Sequence, residues 1–76
     1  MTGNVTMTPV KSSVLKEIGH NPAKNTLVVQ FTSGEFYAYA NVTGKQYKAM
    51  NEADSAGKWF AEHIRQQPKK HPAKKL

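Results

Sequence analysis

The sequence predicts an α+β fold, a three-stranded antiparallel β-meander followed by two short helices packed on one face. Three observations predict it. Between Leu27 and Val42 two alternating segments flank Ser33-Gly34, the pattern of a β-hairpin. A weaker alternation over Ser12 to Gly19 supplies a third strand. Beyond Val42 the apolar spacing changes from two to three or four, and each such stretch opens on a capping signal. Strands followed by helices is the order of an α+β domain.

Residues 1–11, Thr-rich with Pro9, show no periodicity and read as a flexible lead-in. The first strand spans Ser12 to Gly19, with Val14 and Ile18 on one face and Leu15 on the other. His20 to Asn25 is a turn, since Asn21-Pro22 initiates turns and Pro22 is unfit for a central strand. In the second strand Leu27, Val29 and Phe31 alternate with Val28, Gln30 and Thr32. In the third, Phe36, Ala38 and Ala40 alternate with Tyr37 and Tyr39.

The hairpin has two possible registers. A two-residue Ser33-Gly34 turn pairs Phe31 with Phe36, whereas a three-residue Thr32-Ser33-Gly34 loop pairs Phe31 with Glu35. The longer loop needs a left-handed third residue, which Gly34 supplies without steric cost. A slip of one residue exchanges the faces. The three-residue loop is preferred, because Ser-Gly is a weaker two-residue turn signal than Asn-Gly. It turns Tyr37 and Tyr39 inward with Leu27, Val29 and Phe31, and leaves Val28, Gln30, Phe36, Ala38 and Ala40 on the outer face.

Thr43 followed by Gln46 fits a capping box, with Val42 placed to staple onto Tyr47. The helix runs from Gly44 to about Asn51 and turns Tyr47 and Met50 inward. Asp54 or Ser55 caps a second helix over about Ala56 to Gln66, with Phe60 and Ile64 on one face and Trp59 and His63 beside them. His63 and Arg65 near its end suit the helix dipole, and Pro68 stops it. Gly57 costs ~1 kcal/mol relative to alanine in a helix. Close approach of this helix to the sheet explains it, a ligand touching its backbone being the alternative.

The 76 residues hold one domain, residues 12–67, preceded by the lead-in and followed by a basic, disordered tail, 68–76. Eleven basic and five acidic side chains give a net charge of +6. Arg65, Lys69, Lys70, Lys74 and Lys75 carry most of that excess, with no acid between Arg65 and Leu76. Such a stretch attracts nucleic acid or an anionic surface, or simply solubilises the chain. The absence of cysteine rules out a disulfide and a thiolate metal site. His20, His63 and His71 lack metal-ligand spacing. Ser12, Ser13 and Ser55 have no histidine-and-acid arrangement, and Ser55 reads as a helix cap. Gly44-Lys45 fails as a phosphate loop, with Tyr39 where its first glycine belongs and Gln46 where Ser or Thr belongs. No metal, cofactor or enzymatic activity is expected. No apolar run approaches the ~20 residues of a membrane span, and the first residues lack the features of a secretory signal. A cytoplasmic location is expected.

The ordered series Ser12-Ser13, Ile18-Gly19, Leu27-x-Val29-x-Phe31-x-x-Gly34, Tyr37-x-Tyr39-x-x-Val42, Tyr47 and Ser55-x-Gly57-x-Trp59-Phe60-x-x-x-Ile64 resembles the KTSC domain. That family takes its name from a segment at the C-terminus of some lysyl-tRNA synthetases, and it also occurs as small free-standing bacterial and phage proteins. The resemblance implies a bacterial cytoplasm, or a host's cytoplasm for a phage protein. It spans Ser12 to Ile64. This chain departs from the family pattern at His20-Asn21, where Tyr-Asp is usual, at Thr43, where Pro is usual, and at Trp59, where Tyr is usual. Thr43 keeps the helix start, and Asn21 weakens any acid-dependent role at its turn. The family's aromatics match Tyr37 and Tyr39, which supports the three-residue loop. The resemblance implies fold more than activity.

Two functions are expected. The first is a small non-enzymatic module that associates with nucleic acid, RNA favoured, through Lys58, Arg65, Lys69, Lys70, Lys74 and Lys75. The second is a protein-interaction or self-associating (homodimeric) accessory module that uses a sheet edge or the outer face at Val28, Gln30 and Phe36.

Overall fold

β-Pairing extends beyond the three predicted strands. The structure is a computed structural model that describes residues 5–76. Five strands form one antiparallel sheet in chain order: β1 (Thr8–Pro9), β2 (Leu15–Asn21), β3 (Thr26–Phe31), β4 (Phe36–Tyr39) and β5 (Ala73–Lys75). The predicted meander corresponds to β2, β3 and β4. The additions come from the segments expected to be a flexible lead-in and a disordered tail, in which Thr8–Pro9 and Ala73–Lys75 pair with the sheet. Thr8 pairs with Ile18 and Pro9 with Glu17. On the other edge Tyr37, Ala38 and Tyr39 pair with Lys75, Lys74 and Ala73. The reason is open edges: the predicted outer strands would each leave a row of backbone groups unpaired, and any segment that returns alongside satisfies them. The new edges are short and carry Pro9 on one side and Lys74 and Lys75 on the other, which discourages further strand addition.

β2 departs from a simple alternation. The register shifts between Leu15 and Glu17, and this bulge turns both Leu15 and Ile18 into the core. Val14, predicted to share a face with Ile18, is instead 42% exposed. The hairpin uses the three-residue loop: Phe31 N–H donates to Glu35 C=O (2.9 Å) and Gly34 N–H to Phe31 C=O (2.8 Å). Gly34 has φ = +100°, so the turn depends on a residue without a Cβ. Leu27 then faces Tyr39 and Val29 faces Tyr37, which places both tyrosines on the inner face.

Helix α1 (Gly44–Glu52) starts on the complete capping box. Gln46 N–H donates to Thr43 Oγ1 (3.2 Å) and Thr43 N–H to Gln46 Oε1 (2.9 Å). Helix α2 (Ala56–Phe60) starts on Ser55, whose Oγ accepts from Lys58 N–H (3.2 Å), and runs on as a π-helical turn over Ala61–Arg65. Met50, Ala56, Phe60 and Ile64 from the helices close over Leu15, Ile18, Leu27, Val29 and Tyr39 from the sheet to form the core. Gly57 is explained by a close approach, though to the turn entering β2 rather than to the sheet: a Cβ there would collide with Ser12 Oγ and lie 3.3 Å from Ser12 Cβ.

The outer face is not bare. Gly19 and Val28 are cross-strand partners on it, and residues 5–7 lie against Gly19. A Cβ on Gly19 would collide with Val5 and stand 2.8 Å from both Met7 Sδ and Thr6 O. Val28 is only 3% exposed.

Candidate nucleic-acid interface

The basic C-terminal segment is held in place by contacts at the end of β4. Ala40 N–H donates to Pro72 C=O (3.0 Å). Asn41 Nδ2 donates to Lys70 C=O (3.0 Å), and His71 Nδ1 donates to Ala40 C=O (3.0 Å). A carbonyl only accepts, so the bond fixes the proton on Nδ1. His71, expected to hang in a free tail, is 5% exposed. Asn41 has φ = +60°, a left-handed conformation that asparagine adopts more readily than most residues. That turn carries the chain from β4 towards α1 while its side chain grips the returning segment.

The predicted cations do not form a single patch. Lys69 and Lys70 lie in the exposed turn before β5, and Lys58 is exposed on α2. Lys74 pairs with Ala38 and projects on the outer face, whereas Lys75 pairs with Tyr37 and projects on the inner face. Lys75 Nζ lies 3.1 Å from Glu35 Oε2. This hydrogen bond and the lysine charge hold the Glu35 carboxyl below its ordinary range and raise the lysine's own pKa. Lys75 therefore has an internal partner, although its side chain stays 64% exposed.

Arg65 comes from the π-helical turn. Gln66 N–H donates to Ala61 C=O (3.1 Å), one residue further back than in an α-helix. The widened turn keeps Ile64 in the core and carries the Arg65 guanidinium to 6.0 Å from the Phe31 ring centroid. Phe31, Tyr37, Tyr39, Glu35, Val14 and Arg65 line a cleft of about 400 Å³ at the hairpin end of the inner face. Phe31 and Tyr37 meet edge to face at 5.4 Å. Burial pushes the Tyr39 hydroxyl pKa up, against the opposing pull of Arg65.

A second groove, of about 230 Å³, lies between α1 and the solvent side of α2. Gln46, Trp59, Glu62, His63, Gln67 and Lys70 line it, together with the buried His71. The Trp59 and His63 rings pack at 4.5 Å with a 32° tilt. The i, i+4 spacing of Trp59 and His63 was visible in the sequence. Nothing in the sequence placed Lys70 and His71 against them, because that depends on the fold-back of the tail.

The proposed partner surface fares differently at each position. Val28 is buried and is withdrawn from it, while Gln30 and Phe36 stay half-buried on the outer face. Among the described residues no three His, Asp or Glu side chains converge on a common point, and no helix is long and apolar enough to cross a membrane.

A protein-family model described as the KTSC domain matches residues 11–67. The chain is 39% identical over 51 residues to an uncharacterised protein of Stutzerimonas stutzeri, covering 67% of this chain and 72% of that one. It is 34% identical over 53 residues to a protein of Tsukamurella paurometabola, covering 70% and 79%. The fold superposes on the crystal structure of a KTSC domain protein from Yersinia pestis with a TM-score of 0.82 at 29% identity, over 95% of this chain and 97% of that one. The matched segment runs from the residue before the Ser12 turn to two residues past the π-helical turn that ends the second helix, and on that ground the chain belongs to the KTSC domain family.

Proposed function

We propose that this protein is a small non-enzymatic binding module of the bacterial cytoplasm that associates with nucleic acid, RNA in preference to DNA. The observation that carries the reading is the C-terminal segment from Arg65, five cations with no acid, anchored by Asn41 and His71 rather than left loose. An ordered cation loses less conformational freedom on meeting a phosphate than one on a free tail. Lys58, Arg65, Lys69, Lys70 and Lys74 supply the charge, and Glu35 occupies Lys75. RNA is favoured because half-buried aromatic rings stand beside these cations, Phe31 next to Arg65 and Trp59 in one groove with Lys70, the combination that unpaired strands use. The test is anisotropy of labelled single-stranded RNA and DNA at two salt concentrations. Affinity should fall with salt, and replacing Lys69, Lys70 and Lys74 together by Gln should flatten the log–log slope by ~2 for a single strand. An affinity indifferent to salt would sink the reading.

A protein-interaction or self-associating role remains as a second reading, carried by the half-exposed Phe36 and Gln30 on the outer face. A Phe36→Ser variant that leaves the mass in solution and every captured partner unchanged would remove it.

A further inference from the structure

We propose that the groove between α1 and α2 receives one unpaired nucleobase, stacked against the Trp59–His63 pair, with its phosphate on Lys70. The inference rests on the nucleic-acid reading above and names the site that a strand would use. Trp59 is the chain's single tryptophan; it packs partly against the core and stays half-buried, with the rest of it at the groove. Its ring and the exposed His63 ring pack at 4.5 Å and form an aromatic wall. Every base has a π-face for such a wall, so stacking does not depend on sequence. Polar groups complete the groove. Gln46 spends its Oε1 on the capping box, leaving its NH₂ to donate. Gln67 supplies a second amide, and Lys70 a cation on the wall. The Glu62 carboxylate also lines the groove. It opposes a phosphate but accepts from the exocyclic amino group of cytosine or adenine. The occupant is therefore an amino-bearing base in a single strand, with the carboxylate on the base edge and the lysine on the backbone. A paired base has its edge engaged and its faces stacked, so a duplex is excluded from the groove. The hairpin cleft has similar residue types, but its arginine already lies on Phe31 and its carboxylate on Lys75.

The test uses the full chain, with a short single-stranded oligocytidylate, the matching oligouridylate and an RNA duplex as probes. Anisotropy of labelled RNA and Trp59 emission are read together. Expected are a change in Trp59 emission that tracks single-strand binding, tighter binding of oligocytidylate than of oligouridylate, and no emission change with duplex. Trp59→Leu should lose roughly 5- to 150-fold in single-strand affinity, the fold-change equivalent of the ~1–3 kcal/mol that stacking one base contributes. His63→Ala, at an exposed position, should weaken single-strand binding while leaving duplex binding unchanged, and it serves as well if Trp59→Leu does not fold. Salt-sensitive RNA binding with unaltered Trp59 emission and a native-like His63→Ala variant would overturn this proposal and leave the nucleic-acid reading standing. Absence of binding to every probe at low salt would overturn both.

Discussion

Replacing Gly57 by alanine tests how the second helix meets the turn entering β2, because two effects of opposite sign compete. In a helix the change to alanine is favourable by at most ~1 kcal/mol. Against that, the new methyl would occupy the place of Ser12 Oγ. That oxygen is not a free side-chain end: it accepts from Val14 N–H (3.1 Å) and Leu15 N–H (3.2 Å) and shapes the entry to β2. Overpacking of this kind costs ~1–3 kcal/mol, and displacing Ser12 forfeits hydrogen bonds that contribute ~0.5–1.5 kcal/mol each. Sterics wins, with a net destabilisation of ~1–3 kcal/mol, which for a domain of this size lowers Tm by on the order of 10 °C. The assay is thermal and urea unfolding of the native chain, Gly57→Ala, Ser12→Ala and the double variant. Ser12→Ala removes the colliding oxygen, so the double variant should be more stable than the sum of the single effects implies, by ~1–2 kcal/mol of coupling. A Gly57→Ala variant as stable as the native chain or more so, with additive effects in the double, would refute the close approach.

Three further outcomes are expected. Gly34→Ala should cost ~1–2 kcal/mol from backbone conformation alone, since φ is +100° and nothing lies within 4 Å of the missing Cβ; urea unfolding reads it, and an unchanged midpoint would contradict the loop geometry. Gly19→Ala should lift residues 5–7 from the outer face and speed amide exchange there, with β3 still protected; unchanged exchange in the N-terminal segment would show that it does not lie against Gly19. The Glu35–Lys75 pair has a pH window. Glu35 is shifted down, so its contribution is complete above the unfolded carboxyl value of ~4.3 and fades as pH falls through the folded value. Lys75 is shifted up, so its contribution is complete below ~10.4 and fades as pH rises through its folded value. An NMR titration of Glu35 should therefore move towards the ordinary carboxylate value in Lys75→Gln; identical curves would mean the pair does not form in solution.

Local signals were the legible part of this fold. The three-residue loop followed from Gly34, the helix starts from Thr43, Gln46 and Ser55, and the inward tyrosines from the register that Gly34 permits. These features depend on residues a few positions apart. What escaped was pairing at long range. Thr8–Pro9 and Ala73–Lys75 are too short to show alternation, only Thr8 among them favours a strand, and they become strands because β2 and β4 offer unpaired edges. The bulge at Leu15 escaped too, since a strict period of two has no place for it. At the candidate site the cations were legible as charge, but their directions were not. That Lys74 and Lys75 project on opposite faces follows from β5 being a strand, and Lys70 meets Trp59 and His63 only once Asn41 and His71 have turned the chain back.

The fold-back also changes how the basic segment has to be tested. Deleting residues 67–76 removes the Pro72 carbonyl from Ala40 N–H, the Lys70 carbonyl from Asn41 and the buried His71 ring, besides four lysines. It strips β5 from β4, frees Glu35 and opens the Trp59 groove on one side. Loss of RNA binding after such a deletion would therefore report on the sheet edge as much as on charge. Replacing Lys69, Lys70 and Lys74 by glutamine keeps the backbone pairing, the His71 anchor and the Glu35–Lys75 pair. If the fold is retained and the salt slope flattens, the effect belongs to the cations; if the slope is unchanged, charge on this segment is not what a ligand reads.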